Sequence, residues 1–446
     1  MLKNTLFKAA PNLLFLLKCL YTLFDLRVFR WPRKLWHYSK FKEVQIQKNQ
    51  EELLNSLRNK LNQGEPIKIA FLVSDRAKWN AESLVRELKK FDFFSCDIIY
   101  FPKSRYHNIQ GLTDREEMNR DILFFKSLGL NVIEWNQQGA TKAPFDLIFI
   151  QQPWGRTQDL PYQLRKNCLC LYMHYGYLVT HNPDLHLGLP KFHPYLWRIL
   201  VQHQAHSELI EKNAPALKSR MWTIGYPKLD PLRQRQVSES KLESPYWKGG
   251  AEQKRVIYAP HHSLGRLNPV RLSTFDWSAL PILELMESSQ GLSWIYKPHP
   301  QLKFTAVSSG LFSPQDYQAY ISKWFDGENS SVFDSGSYLD IFATSDCLIT
   351  DCGSFLGEYL VTGKPIIRLI SRNNPVGLNQ VGRLIDEVCY RVTTEAELRE
   401  VFESVVLNGS DEKKSSRQKL RDQLFPKAET DASRVVKALL RDLNRL

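Results

Sequence analysis

The 446-residue sequence has no C-x-x-C pair, no G-x-G-x-x-G after an apolar run, and no G-x-x-x-x-G-K-[ST]. H-E-x-x-H, D-x-D and G-x-S-x-G are also missing. These gaps withdraw support from zinc ribbons, dinucleotide oxidoreductases, P-loop NTPases, zincins, transferases that hold a metal through an Asp pair, and hydrolases with a nucleophile elbow. The seven cysteines are scattered and odd in number, which fits reduced thiols in a cytoplasmic protein better than a disulfide scaffold. No apolar run is long enough to span a membrane, because Lys18, Asp25 and Arg27 interrupt the Leu- and Phe-rich stretch 11–29. Arg30-Trp31-Pro32-Arg33 follows that stretch, so a signal-peptide cleavage site is not expected.

The rest of the composition is that of a soluble globular chain, 43% hydrophobic and 24% charged, and the length predicts two domains. The net charge of +13 is concentrated: ten basic and two acidic side chains among residues 1–48 carry +8, leaving the body mildly basic. A nucleic-acid partner is therefore not expected. Lys18, Thr22 and Asp25 form one polar stripe on an otherwise apolar helix, flanked by basic residues, Trp31 and Trp36. That pattern predicts an amphipathic segment at an anionic membrane surface, with a helix packed on the protein body as the alternative.

From residue 66 short apolar runs alternate with helical stretches. Strands are predicted at 67–73, 97–101, 131–135, 145–150, 168–173 and 199–202, then at 255–259, 292–296, 331–333, 347–350 and 365–369. Helices are predicted at 81–90, 115–128, 395–407 and 432–446. The polar stretch 233–253 separates the two series and reads as a linker. The fold expected is α/β, with two Rossmann-like domains whose parallel sheets face a cleft. The expected division is a helical segment 1–60, a first domain 61–235 and a second domain 236–446 that includes the C-terminal helices.

Candidate chemistry lies at strand ends. In Thr350-Asp351-Cys352-Gly353-Ser354, an apolar strand runs into a helix start whose free N–H groups suit a phosphate, Gly353 allowing close approach. Glu358, a turn further on, is placed to accept from ribose hydroxyls. Lys297-Pro298-His299-Pro300, His261-His262-Ser263 and His174-Tyr175-Gly176 put cations and imidazoles after three other strands. No carboxylate or cysteine lies at ligand spacing from His261-His262, so no metal is expected there.

Tyr258-Ala259-Pro260, Lys297-Pro298-His299-Pro300, the run Ser345–Ser354 and Gly363-Lys364-Pro365-Ile366-Ile367 resemble, in order and spacing, the CDP-glycerol glycerophosphotransferase family, which includes the teichoic acid primases and polymerases. The resemblance implies the GT-B fold and transfer of glycerol phosphate from CDP-glycerol to a hydroxyl of a membrane-linked acceptor. It implies no cofactor beyond that donor, and a peripheral place on the cytoplasmic membrane face. It carries His174 over as the base and His299 as a group assisting at the pyrophosphate. His262, Lys297, Thr350, Asp351, Gly353, Ser354 and Glu358 become donor-binding residues. Three departures stand out: Tyr175 is inserted before Gly176, His261-His262 replaces Thr-Trp-Arg, and Cys352-Gly353-Ser354 replaces Tyr-Ser-Ser. A nucleotide-sugar glycosyltransferase of the same fold is the alternative reading.

Overall fold

The computed structural model describes residues 40–446 except 75, 102–113, 136–144, 154–156, 158, 182–190, 235–244, 251, 266–267, 290, 334–336, 374 and 427. The amphipathic stretch 11–29 lies outside the described residues. The chain divides into two compact units, 1–48 and 49–446. The described part of the first belongs to the helix Lys40–Asn62. The second holds both sheets.

Seven parallel strands form the first sheet: β1 (Ile67–Val73), β2 (Phe94–Tyr100), β3 (Asn131–Glu134), β4 (Leu147–Ile150), β5 (Leu169–Met173), β6 (Arg198–Val201) and β7 (Met221–Thr223), in the order β3-β2-β1-β4-β5-β6-β7. Six more parallel strands form the second: β8 (Lys254–Ala259), β9 (Leu292–Tyr296), β10 (Ser330–Val332), β11 (Cys347–Thr350), β12 (Ile366–Leu369) and β13 (Tyr390–Val392), ordered β10-β9-β8-β11-β12-β13. Central strands such as Leu147–Ile150 are buried at every position, as a sheet covered on both faces requires. The two strands that the apolar-run criterion passes over, β7 and β13, are three-residue edges with little burial. Edge strands carry a weaker hydrophobic signal because one side and part of their faces meet solvent. Among the described residues no helix is long and apolar enough to cross a membrane.

The C-terminal helix departs from the expected division. Asp431–Asp442 packs its apolar stripe, Ala432, Val435, Val436, Leu439 and Leu440, into the core of the first sheet. Buried charges fix this crossing. Both carboxylate oxygens of Asp230 accept amide hydrogens at the helix start, from Asp431 and Ala432 at 2.9 Å each. Arg233 pairs with Asp431 at 2.8 Å, and the Tyr226 amide donates to the same carboxylate. Burial pushes the Asp230 carboxyl up to about 6. At Gly225, in the left-handed region with φ +110°, any Cβ would overlap the Asp431 carboxylate.

Candidate active site

Strand order reverses between β1 and β4 in the first sheet and between β8 and β11 in the second, and a crevice beyond such strand ends is where α/β sheets bind ligands. Arg76, Lys78 and Asn80 follow β1, and His174 follows β5. His261 and His262 follow β8, Lys297 and His299 follow β9, and Asp351 and Ser354 follow β11.

His174 is buried. Its Nδ1 lies 2.8 Å from the Gly176 carbonyl oxygen and 3.1 Å from the Gly176 amide. The shorter contact is that of an Nδ1–H donating to a carbonyl, the wiring that leaves the lone pair on Nε2. Tyr175, the inserted residue, stacks on the imidazole with centroids 4.9 Å apart. Asn80 donates to the His174 carbonyl at 2.9 Å.

The segment after His174 straps the two sheets together. The Tyr177 amide donates to Glu358, Asn379 donates to the Leu178 carbonyl at 2.9 Å, and Thr180 bridges to Leu378. The strap presses on the helix Gly353–Leu360: a Cβ at 353 would stand 3.1 Å from Val179 Cγ2, and one at 357 would overlap the Tyr177 ring. It also brings Gly176 beside Ser354, where an added Cβ would meet the serine Cβ at 3.5 Å. The helix Gly353–Leu360 has no side-chain cap on its first N–H groups.

Four candidate residues are placed differently from the sequence expectation. Gly353 is crowded by Val179, Thr180 and Leu272, which by themselves call for a small residue there. Thr350 is fully buried, donating to the Ala259 carbonyl at 2.6 Å and accepting from the Cys352 amide at 3.0 Å. Asp351 is buried and accepts from the His261 amide at 2.5 Å, the Thr274 amide at 2.6 Å and the Thr274 hydroxyl at 2.9 Å, which orients the β8 loop. Glu358 is 1% exposed; one oxygen accepts from the Tyr177 amide and the other from the Tyr338 hydroxyl, with Lys228 at 3.8 Å. These two carboxylates brace the site through bonds to Thr274, His261, Tyr177 and Tyr338.

The remaining candidates converge. His262 and His299 stack with centroids 4.0 Å apart, and His261 lies 4.4 and 5.3 Å from them. One ring nitrogen from each of the three falls within 4.8 Å of the others. Burial pushes His262 down to about 4, while His299 is held well below its ordinary value by burial, then by His262, His261, Lys297 and Lys78. Lys297 Nζ sits 4.8 and 4.9 Å from the ring centres of Tyr338 and Phe355. Lys78 belongs to the first sheet, with its Nζ 5.5 Å from the Tyr175 ring centre, yet its charge reaches His299. The site is thus lined by cations and neutral imidazoles, a setting for a condensed phosphate. Sequence reasoning missed Lys78, which the strand-end rule applied to β1 would have raised, and it singled out the pair His261-His262 but gave His261 no role.

The architecture resembles several solved structures. They include a wall teichoic acid polymerase, TagF, in a variant soaked with CDPG (14% identity, 92% of this chain and 98% of that one, TM-score 0.54). A UDP-N-acetylglucosamine 2-epimerase (13%, 86% and 98%, 0.54) and the S. aureus MnaA–UDP complex (10%, 85% and 98%, 0.54) share it as well. At these identities the likeness establishes the two-sheet GT-B type fold. No curated protein matches the chain. The family model for CDP-glycerol:poly(glycerophosphate) glycerophosphotransferases matches residues 193–441, a segment that takes in the second sheet, the three-histidine cluster and the returning helix but begins after His174. Because that match spans more than half of the sequence, this chain belongs to the CDP-glycerol:poly(glycerophosphate) glycerophosphotransferase family of transferases.

Proposed function

We propose that the protein transfers glycerol phosphate, or a related alditol phosphate, from a CDP-linked donor to a hydroxyl of a membrane-linked glycan or polyol-phosphate acceptor. The acceptor oxygen forms a bond to the β-phosphorus, the bond from that phosphorus to the bridging oxygen breaks, and CMP leaves with the added negative charge. His174 Nε2 takes the acceptor proton. His299, Lys297 and Lys78 face the charge that builds on the phosphates, since phosphoryl transfer is mostly positioning and electrostatics. Ser354, beside Gly176, offers the uncapped helix start to the same phosphates.

The observation that carries this reading is the opposite wiring of two histidines at facing strand ends. Each Nδ1 faces an amide at 3.1 Å, but His174 Nδ1 lies closer, at 2.8 Å, to a carbonyl oxygen, as a base protonated on Nδ1 requires. His299 Nδ1 meets only the Gln301 amide among the described residues, as an Nε2–H donor requires. Incubation with labelled CDP-glycerol, CDP-ribitol and a panel of nucleotide sugars tests it. Label should pass from a CDP-alditol to acceptor with one CMP released per transfer. Transfer only from nucleotide sugars would replace this reading with a glycosyltransferase. The basic residues 1–48 support a peripheral place at the cytoplasmic face of the membrane, close to such an acceptor.

A further inference from the structure

Three imidazoles with ring nitrogens within 4.8 Å of one another invite a metal, but the hydrogen bonds behind the rings argue otherwise. A histidine that coordinates a metal through one nitrogen carries its proton on the other and gives it to an acceptor. Here two of the three second nitrogens meet donors, and that of His262 has no hydrogen-bond acceptor among the described residues. His299 Nδ1 accepts from the Gln301 amide. His261 Nδ1 accepts from the Ser263 amide at 3.2 Å and lies 2.7 Å from the Ser263 hydroxyl. That hydroxyl oxygen already accepts from the amides of Leu272 and Ser273 at 2.8 and 3.3 Å, so its own proton is left for His261. Both rings are therefore neutral with the proton on Nε2, and neither Nε2 has a hydrogen-bond partner among the described residues. The loops are fixed as well: Asp351 holds the His261 amide, and the His299 amide donates to the Pro260 carbonyl at 3.1 Å.

The geometry points to a two-imidazole anion clamp in which His261, alongside His299, donates Nε2–H to oxygens of the donor's diphosphate, with Ser263 as the positioning residue that fixes the His261 tautomer. This inference rests on the donor-site reading and adds to it a binding residue, a tautomer and a reason why His261 and His299 are wired against a metal. Neutral donors hold a diphosphate without the tight charge pairing that would slow CMP release.

Calorimetric titration of the full chain with inorganic pyrophosphate and with CDP tests it, comparing the parent with His261→Gln and Ser263→Ala. His261→Gln should weaken both ligands about 10- to 100-fold at an unchanged melting temperature, and Ser263→Ala should weaken them less. Parent-like affinity in His261→Gln overturns the clamp. Binding of pyrophosphate that depends on His261 in a parent that does not bind CDP supports the clamp and refutes the cytidine donor. Stoichiometric Zn2+ binding that is lost in His261→Gln, and that competes with pyrophosphate, overturns it. Long-range 1H–15N spectra of the parent give a check that needs no variant: both rings should show the Nε2-protonated pattern, and an Nδ1-protonated signal from either one overturns the inference.

Discussion

His262 lies almost parallel over His299, with centroids 4.0 Å apart and planes inclined by 23°. Two imidazolium ions could not share that stack, and burial keeps both rings neutral well into the acid range. The consequence for stability has a definite sign. An unfolded histidine protonates near 6.5, whereas folded His262 does so near 4. Its contribution is full above about pH 6.5 and is lost as pH falls toward 4, because only the unfolded chain takes up the proton. Asp351, pushed up by burial to about 7, runs the other way, its contribution fading as pH rises from about 4 to 7. The comparison must therefore be parent against variant: urea midpoints of His262→Gln should fall less steeply than the parent's between pH 6.5 and 4.5. Parallel curves would mean that His262 is not held neutral.

The roles proposed for His174 and His299 should separate kinetically. His174→Ala should lower kcat by roughly 10²–10⁴-fold, equivalent to about 3–5 kcal/mol of barrier, with CDP affinity nearly unchanged. Raising pH should restore nothing, since no base remains to deprotonate. His299→Ala should lower kcat and weaken CDP together. A folded His174→Ala protein with half the parent turnover would shift the base role to His262 or His181; Asp184, another candidate, lies outside the described residues.

Ser354 sits at an uncapped helix start beside Gly176. Placing a carboxylate there would set a like charge against the phosphates, so Ser354→Asp should abolish CDP binding while leaving the melting temperature near that of the parent. Undiminished CDP affinity would move the diphosphate away from this helix.

The returning helix should matter to the first sheet more than to the second. Leu439 is fully buried in the first core, and Leu439→Ala should cost about 2–5 kcal/mol. Hydrogen exchange should rise first in β1, β2 and β4. Exchange confined to β8 to β13 would contradict the packing.

Removing residues 1–48 should move the protein from anionic vesicles to the soluble fraction, and binding of the intact chain should weaken as salt rises, because the basic side chains are screened. Misfolding on truncation, with no vesicle dependence before it, would favour a helix packed on the body.

Much of the fold was legible because buried parallel strands are nearly continuous apolar runs. Ile67–Val73 and Leu292–Tyr296 coincide with their predicted bounds, and Leu147–Ile150 lies within its predicted run. The short edges Met221–Thr223 and Tyr390–Val392 lacked that signal. Strand ends also told where chemistry gathers, since an apolar run that breaks into His, Lys or Gly-Ser is visible without coordinates. What those side chains face was decided only by tertiary structure. Thr350, Asp351 and Glu358 have the residue types of ligand-binding groups, yet their partners are Ala259, Thr274 and Tyr338, distant along the chain. The helix Asp431–Asp442 reads as amphipathic from its sequence alone, but nothing in its spacing says which sheet it covers. That choice was made by Asp230 and Arg233, some 200 residues earlier, which meet its buried N-terminus. Local periodicity reports which face of an element avoids water, and the partner that supplies the dry surface is fixed by long-range packing.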